Sequence, residues 1–250
     1  MLLVADIHGA NEALARVARL GQPLLVLGDL LNLVDYRSGE GLLADLVGRE
    51  LVLEVLRLRQ EGGYSAANQR WRSFVAGREA EVSTRYDALV WAAYEGVALA
   101  LESAEAYVTY GNADRPGLLR RSLPPGVRFV DGEVVEIEGL RVGIVGGGVT
   151  RLGVPGEVPE EDLAGKLARL GPVDVLCTHA APAVVQLSRD VIGGRAKGSP
   201  AVLEYLLGRR PRWHYFGDIH QPQAVSWRVG DTVCRNVGYF RATGRAVRHG

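Results

Sequence analysis

Five short apolar runs along the chain each end in a cluster of Gly, Asp, Asn or His. They read LLVADIHG from residue 2, PLLVLGDLLN from residue 23, AYVTYGNADRP from residue 106, VDVLCTHAAP from residue 173 and HYFGDIHQP from residue 214. Continuous apolar runs of this length are typical of strands buried on both faces of a sheet, as in α/β proteins. Because ligands of such sheets bind beyond the carboxyl ends of the strands, we expect the five polar clusters to lie together.

Two stretches of alternating polarity, one between the third and fourth runs and one after the fifth, predict β-hairpins. EVVEIEGLRVGIVGGG turns at Glu138-Gly139, and AVSWRVGDTVCRNVGYF turns at Gly230-Asp231. Parallel crossovers combined with antiparallel hairpins predict mixed sheets. Residues 37–105, in contrast, show helical periodicity without strand signals. We therefore expect one α/β domain over residues 1–250, with a helical insertion at residues 37–105.

The composition excludes some classes of partner. The 29 basic residues balance the 29 acidic ones, which argues against a broad electrostatic surface for nucleic acid. Cys177 and Cys234 lie in strand-like runs and are expected to be reduced thiols of the core. No apolar run approaches the roughly 18 residues of a membrane helix, and no signal peptide fits before the first strand. We expect a cytoplasmic protein without a membrane contact.

The polar clusters supply oxygen and imidazole groups, which are ligand types that divalent transition metals accept. In chain order these groups are Asp6 and His8, Asp29, Asn112, His179, and Asp218 with His220. An isolated Asp-x-His at a strand end is more often a capped turn than a ligand pair. Three of the chain's five histidines fall in these clusters, however, and five such clusters in succession predict a metal centre.

The order DIHG, GD, GN, TH and GDIH resembles the signature of the calcineurin-like metallophosphoesterases, which reads D-x-H, G-D, G-N-H-[D/E], [G/T]-H and G-H-x-H. Asn236 to Gly238 also resembles the closing Asn-x-Gly turn of that family. The resemblance implies a four-layer α/β/β/α sandwich of two mixed sheets, with two divalent metal ions at one edge. Mn²⁺ is the expected metal, and Fe, Zn²⁺, Ni²⁺ and Mg²⁺ are alternatives.

Carried over position by position, the resemblance assigns a ligand set to each metal ion. The first set is Asp6, His8, Asp29 and His220, and the second is Asp29 as a bridge with Asn112, His179 and Asp218. In this family the two ions share a hydroxide that attacks phosphorus. The resemblance therefore implies catalytic roles for Asp6, Asp29 and Asn112.

Two positions depart from the family pattern. Asp218 stands where the family has a histidine, and this carboxylate favours a hard ion such as Mn²⁺ over Zn²⁺. The alternative is that this shorter side chain reaches the metal only through water. Ala113 stands where the family has the histidine that protonates the leaving group. Some members of the family lack that histidine and favour phosphodiesters. Asp114 occupies the acidic position of the motif and is expected to orient the turn.

Four residues near the motifs are candidates for substrate contacts. Arg195 and Lys197 follow the fourth motif, whereas Asp35 and Tyr36 follow the second and are expected at the rim of the cavity. For Arg195 and Lys197 the alternative is a solvated loop charge. The insertion at residues 37–105 is expected to cap the site and to carry a homodimer contact, and the alternative is a helical extension packed away from the site.

Together these features predict an enzyme that hydrolyses a small phosphate ester, more specifically a phosphodiester. A phosphomonoesterase or protein phosphatase of the same class is one alternative. A metal-binding regulatory protein that has kept the fold but lost turnover is another, and Ala113 and Asp218 are the features that favour it.

Overall fold

Two large β-sheets flanked by helices, with two further two-stranded sheets, are seen in the computed structural model, which describes residues 1–151, 153–192, 194 and 196–250. The strands are β1 (Leu2–Val4), β2 (Leu24–Leu27), β3 (Ala106–Thr109), β4 (Val127–Phe129), β5 (Glu133–Ile137), β6 (Leu140–Val145), β7 (Gly148–Val149), β8 (Glu157–Val158), β9 (Val175–Thr178), β10 (Ala181–Pro182), β11 (Gly198–Ser199), β12 (Trp213–Phe216), β13 (Ser226–Val229), β14 (Thr232–Asn236) and β15 (Val247–Arg248).

The helices lie between the strands along the chain. They are α1 (Asn11–Ala18), α2 (Leu42–Val47), α3 (Arg49–Gln60), α4 (Tyr64–Val75), α5 (Glu79–Leu101), α6 (Pro116–Ser122), α7 (Glu160–Leu170), α8 (Val185–Ser188), α9 (Pro200–Arg209) and α10 (Phe240–Thr243). In the described parts of the chain, none of them has both the length and the hydrophobicity needed to cross a membrane.

The first sheet has five strands in the order β15-β1-β2-β3-β4. β1 to β4 pair in parallel, and β15 adds an antiparallel edge next to β1. Because parallel neighbours point the same way, the carboxyl ends of β1, β2 and β3 lie side by side at one edge of this sheet. The chain segments that follow these three strands carry the first three predicted motifs.

The second sheet has six strands in the order β13-β14-β12-β9-β6-β5. Its central strands are parallel, and the two predicted hairpins form its two ends. Ile137 pairs with Leu140, so the first hairpin turns at Glu138-Gly139, where both residues have positive φ. Val229 pairs with Thr232, so the second turns at Gly230-Asp231. The predictions of mixed sheets and of both turns are confirmed.

Successive side chains of β1 contact different layers of the protein, as expected for a strand buried on both faces. Leu3 belongs to an apolar cluster that also contains Leu25, Val175 and Tyr215, so this cluster lies between the two sheets. Val4 belongs instead to the large cluster that includes the buried faces of α1 and α5. α7 and α9 contribute their buried faces to the same large cluster. The two mixed sheets flanked by helices confirm the predicted sandwich architecture.

Residues 37–105 form helices α2 to α5, but these helices have two different environments. α3 and α4 share a small apolar cluster of their own, which contains Leu51, Val55 and Ala67. The second half of α5 instead buries Val90 and Tyr94 in the large core cluster, together with residues of α1 and α6. A helix is needed there because a parallel crossover from β2 to β3 must cover the sheet. α5 is thus part of the domain core, whereas α3 and α4 pack around their own cluster. α2 joins the two, because Leu42 packs against the large cluster and Val47 against the small one.

Candidate metal centre

The predicted ligands follow strands of both sheets. Asp6 and His8 follow β1, Asp29 follows β2, Asn112 follows β3, His179 follows β9, and Asp218 and His220 follow β12. The first four residues therefore come from the first sheet and the last three from the second. Contacts between residues that are more than 200 positions apart show that the two sets meet, since His8 Nε2 lies 3.1 Å from His220 Nε2.

Four of these residues have a backbone conformation that side chains other than glycine seldom adopt. The φ angles are 58° at Asp6, 41° at His8, 55° at Asp29 and 65° at Asp218, and only two other non-glycine residues in the described chain have positive φ. Asp and His tolerate the left-handed region better than most residues, yet it costs conformational energy. Such strain clusters at functional sites, where a sharp turn directs a side chain into a cavity.

Asp6, His8, Asp29 and His220 form a compact group of potential ligands. One ligand atom from each of them lies within 4.8 Å of the ligand atoms of the others. His8 Nε2 is 3.7 Å from Asp29 Oδ2, and His220 Nε2 is 3.8 Å from Asp6 Oδ1. These distances are of the size found between neighbouring ligands of one metal ion, whose bonds to nitrogen and oxygen are about 2.0–2.2 Å long.

Hydrogen bonds fix the tautomers of two of the histidines. His8 Nδ1 lies 2.9 Å from the Leu31 carbonyl oxygen, and His179 Nδ1 lies 2.8 Å from the Leu27 carbonyl oxygen. A carbonyl oxygen only accepts, so both Nδ1 atoms carry the proton. In its neutral form such a ring presents a bare Nε2 lone pair to the site, which is the form that binds a metal.

The donor set fits a divalent cation. Asp6 Oδ2 is buried and has no hydrogen-bond partner among the described residues. Its neighbour Oδ1 accepts the Asp218 backbone N–H, at 3.2 Å. Burial raises the pKa of Asp6 and lowers the pKa of His220, so without a cation the site disfavours both charged forms. A cation would supply the missing partner of the carboxylate and would accept the lone pairs of neutral imidazoles.

His179 and Asn112 lie on the opposite side of the Asp29 carboxylate from His8. His179 Nε2 lies 3.3 Å from Asn112 Oδ1 and 3.5 Å from Asp29 Oδ1. Burial by itself would lower the pKa of His179, but the carboxylates of Asp29, Asp218 and Asp6 outweigh it and raise this pKa to about 9. The position thus favours positive charge. The contacts among His179, Asn112 and Asp29 place three of the four residues predicted for the second metal ion next to one another.

The fourth residue of that set, Asp218, has a different neighbour. Its Oδ1 lies 3.4 Å from the ammonium nitrogen of Lys197. The Asp218 carboxylate is the main cause that raises the pKa of Lys197. The prediction that Asp218 binds a metal directly therefore remains a prediction.

Two glycines lie so close to the carboxylates that a side chain at either position would collide with them. A Cβ atom at Gly111 would lie 2.6 Å from His179 Nε2 and would overlap Asp29 Oδ1. A Cβ atom at Gly238 would overlap Asp6 Oδ2. These glycines of the GN motif and of the Asn236 to Gly238 turn are thus needed for close packing around the ligands.

Asp114 holds the backbone of two motifs together. Its Oδ2 accepts the backbone N–H groups of Asp29 and Gly111, each at 2.8 Å, and its Oδ1 accepts the Leu30 N–H at 3.1 Å. The hydroxyl of Tyr94 in α5 donates to Oδ1 at 3.3 Å. Burial, with the Asp29 charge as the second cause, raises the pKa of Asp114 to about 6. Its contacts are those of a residue that orients the turn.

Ala113 contributes only its backbone to the site. Its N–H donates to Asp29 Oδ1 at 2.8 Å, and its methyl group carries no proton donor. This N–H orients the Asp29 carboxylate between His8 on one side and His179 on the other.

The predicted substrate residues have different environments. Asp35 Oδ2 accepts from Arg241 at 3.0 Å, and the same guanidinium donates to Asn32 Oδ1 at 2.6 Å. Tyr36 is 64% exposed. Lys197 contacts Asp218, as described above, and Arg195 lies outside the described residues. Substrate contacts of these four residues remain predictions.

Tyr239 is a neighbour of the candidate ligands His8 and His220 that the sequence did not predict. Its ring stacks on the His220 ring with centroids 4.2 Å apart and an interplanar angle of 9°, and it meets the His8 ring edge-on at 6.2 Å. Tyr239 follows the Asn-x-Gly turn directly, and this position next to a motif was the available signal.

Comparisons with known proteins extend the fold assignment only. No protein-family model and no curated protein matches the chain. One solved crystal structure is 15% identical with a TM-score of 0.56, and the match covers 96% of this chain and 90% of that one. The crystal structure of TT1561 of Thermus thermophilus is 12% identical with a TM-score of 0.54, over 98% of this chain and 96% of that one. At such low identity, the likeness shows that this chain shares the overall fold of these two structures.

Proposed function

We propose that the protein is a metal-dependent phosphoesterase of the calcineurin-like type that hydrolyses a small phosphodiester. The observation that carries the proposal is the group formed by Asp6, His8, Asp29 and His220, which combines an imidazole Nε2 directed at the site by the Leu31 carbonyl oxygen with a buried carboxylate oxygen that lacks a partner among the described residues. The order of the motifs supports the choice of family, and the two mixed sheets flanked by helices agree with the sandwich that this resemblance implies.

Asp6, His8, Asp29 and His220 would hold one ion, and Asp29, Asn112, His179 and Asp218 would hold the second. Mn²⁺ is the proposed metal, because two carboxylates in each set, with an amide oxygen in the second, make both rich in hard oxygen donors. When bound, divalent ions supply an acidified water as nucleophile and positive charge for the phosphoryl oxygens.

The chain itself orients these groups. Asp29 is held by the Ala113 N–H and stands between the two ligand sets, so its position decides the geometry of both. Asp114 fixes the backbone of Asp29 and Gly111, which sets the spacing between the second and third motifs. Asp6, Asp29 and Asn112 are therefore the residues that we propose as most important for catalysis.

The preference for diesters follows from position 113. Without a histidine there, no side chain at that position can protonate the leaving oxygen. Such general acid catalysis typically accelerates a reaction by about 10²–10⁴-fold. The reaction then depends on leaving groups that depart readily as anions. We propose Lys197 and Arg195, with Asp35 and Tyr36 at the rim, as the residues that contact the substrate.

A regulatory protein that binds metal without turnover is the second candidate. Ala113 removes the position of the family's general acid, and Lys197 already partners Asp218. Both features would lower the rate of hydrolysis without weakening metal binding by the group that contains Asp6. A phosphomonoesterase is the candidate within the same class, and Ala113 weighs against it.

Metal analysis combined with hydrolysis tests the proposal. The protein loaded with Mn²⁺ should hydrolyse bis(p-nitrophenyl) phosphate faster than p-nitrophenyl phosphate, and a chelator should abolish both activities. Asp29→Ala should lose bound metal and activity together. Asp231→Ala is the matched control, because Asp231 is an exposed carboxylate that lies 3.8 Å from Arg210. Metal binding without hydrolysis of either ester would favour the regulatory protein, and undiminished activity in Asp29→Ala would refute the mechanism.

A further inference from the structure

Lys197 is one of the two lysines in the chain, and it stands at the metal centre. Its Nζ lies 3.4 Å from Asp218 Oδ1. The side chain of Asp218 is only 5% exposed, whereas that of Lys197 is 35% exposed. The backbone N–H of Lys197 donates to the Ser188 carbonyl oxygen at 2.8 Å, which anchors the lysine beside the carboxylate.

A buried carboxylate needs a cationic or hydrogen-bonding partner, because its desolvation is otherwise costly. Asp218 has such a partner in the Lys197 ammonium. A divalent ion at the second ligand set would need the same carboxylate. The ammonium and the ion carry like charges, and at this short range in a poorly solvated site their repulsion is strong.

The first ligand set lacks such a competitor. In the described parts of the chain, the charged partners of Asp6 and Asp29 are histidines alone. The Leu31 carbonyl oxygen accepts from His8 Nδ1 and so directs Nε2 of this ring toward the site. An ion can enter this set without displacing a permanent cation, so the two sets should differ in affinity.

We propose that the Lys197 ammonium competes with the second divalent ion for the carboxylate of Asp218. The inference rests on the metal centre proposed above. The first ion binds at the Asp6 group, and the second binds only when Lys197 leaves Asp218. The lysine thus sets how many ions the protein holds at a given metal concentration. It also replaces part of the second ion's charge when that ion is absent.

Titration of the metal-free full-length protein with Mn²⁺, followed by calorimetry and by EPR, tests this competition. The wild type should bind one ion tightly and a second one weakly. In Lys197→Met the second ion should bind about ten-fold more tightly or better. The EPR signal of two coupled Mn²⁺ ions should then develop at a lower metal concentration. The affinity for the first ion should change much less.

Lys166→Met is the matched control. Lys166 is the other lysine of the chain, and its Nζ also pairs with a carboxylate, 2.8 Å from Asp131 Oδ2. Asp131 is not among the predicted metal ligands, so this variant should leave both affinities unchanged. Lys197→Arg keeps the positive charge and should behave like the wild type, which separates charge from a change in loop packing.

An equal affinity for the second ion in the wild type and Lys197→Met would overturn the proposal. So would an equal gain in Lys166→Met, or a second ion that binds to neither protein.

Should Lys197→Met unfold, the comparison of wild type with Asp218→Asn decides instead. Asp218→Asn should release Lys197 without gaining a tight second ion, whereas competition is refuted if the second ion binds Asp218→Asn as it binds the wild type. These measurements contain no substrate, so a failure of the proposed hydrolysis would leave their outcome intact, and the reverse holds as well.

Discussion

The carboxylate of Asp114 accepts the backbone N–H of Asp29 at 2.8 Å, although the two residues follow different strands. The same oxygen accepts the Gly111 N–H, and the other oxygen accepts from Leu30 and from the Tyr94 hydroxyl. All of these partners donate, so a carboxylate suits the position and an amide does not. The spacing of the second and third motifs therefore depends on a residue that need not touch a metal.

Asp114→Asn should weaken metal binding. The side-chain NH₂ group of the asparagine would replace one carboxylate oxygen and face the backbone N–H donors that this oxygen now accepts. At least one buried N–H would then lack an acceptor. We expect the affinity for Mn²⁺ to fall about 10- to 100-fold, as is typical when a residue that orients metal ligands is lost. Calorimetry measures the affinity, and Asp87→Asn, which removes a surface partner of Arg115, is the control. Equal Mn²⁺ affinities in Asp114→Asn and the wild type would show that the backbone holds the ligands without Asp114.

Hydrolysis should depend steeply on the leaving group, because Ala113 donates no proton. Esters of acidic phenols should react much faster than alkyl esters. Ala113→His should accelerate the poor leaving groups by up to about 10²–10⁴-fold and the good ones far less. Ala113→Leu adds bulk without a proton and should bring no such gain. Similar rates for both classes of ester in the wild type would contradict this prediction.

The convergence of the candidate site residues could be predicted from local sequence, because a buried strand fixes where its next residues lie. Asp6, Asp29 and Asn112 follow adjacent parallel strands, so their convergence follows from the strand pattern alone. The contact between Lys197 and Asp218 could not be predicted in this way. It depends on the path of an irregular loop, and loop geometry leaves no periodic signal in a sequence.

The helical segment shows a related limit. Apolar spacing predicts helices within residues 37–105, but it does not tell which surface a helix such as α5 covers. In the structure, Tyr94 of this helix contacts Asp114, so a segment expected to cap the site or to pack away from it contributes to the support of the ligands. The partner of an amphipathic helix is decided by packing between distant parts of the chain.

Helices α2 to α4 remain candidates for a cap or a dimer contact. Residues 42–78 can be replaced by a Gly/Ser linker, which keeps the core half of α5. A cap predicts that the ratio of rates for bulky and small diesters changes in this variant. A dimer contact predicts a smaller mass by light scattering. A folded variant with the same mass as the wild type, corrected for the deletion, and the same selectivity would exclude both roles.

Tyr239 should support the orientation of His220. The two rings lie face to face with centroids 4.2 Å apart, so Tyr239→Leu would free the imidazole to rotate away from the metal position. We expect the affinity for Mn²⁺ to fall about ten-fold, as for other residues that orient a ligand. Tyr239→Phe keeps the ring and should bind nearly as the wild type does. If Tyr239→Leu and Tyr239→Phe weaken Mn²⁺ binding equally, the hydroxyl rather than the stacking would be responsible.

His214 should make the protein sensitive to acid. Its ring is buried, and Nε2 lies 2.9 Å from the Thr178 hydroxyl, whose own proton goes to the Ala180 carbonyl oxygen. Nε2 therefore donates, and Nδ1 is left bare and without a partner in the described structure. Burial lowers the pKa of His214 to about 3 from its ordinary 6.5, so between these values the unfolded chain binds a proton that the folded protein does not.

Because the unfolded state binds more protons in that window, the free energy of unfolding must fall as the pH decreases from about 6.5 toward about 3. Above about pH 6.5, the pKa of His214 in the unfolded chain, this loss of stability is absent. At about pH 5.5 the loss from His214 alone amounts to about 1.4 kcal/mol relative to about pH 8. Urea unfolding of the metal-free wild type and of His214→Phe at several pH values isolates this contribution, because the other histidines are common to both proteins. The wild type should lose more stability than His214→Phe over this range by about that amount, and parallel pH profiles would show that the buried ring accepts a proton without unfolding.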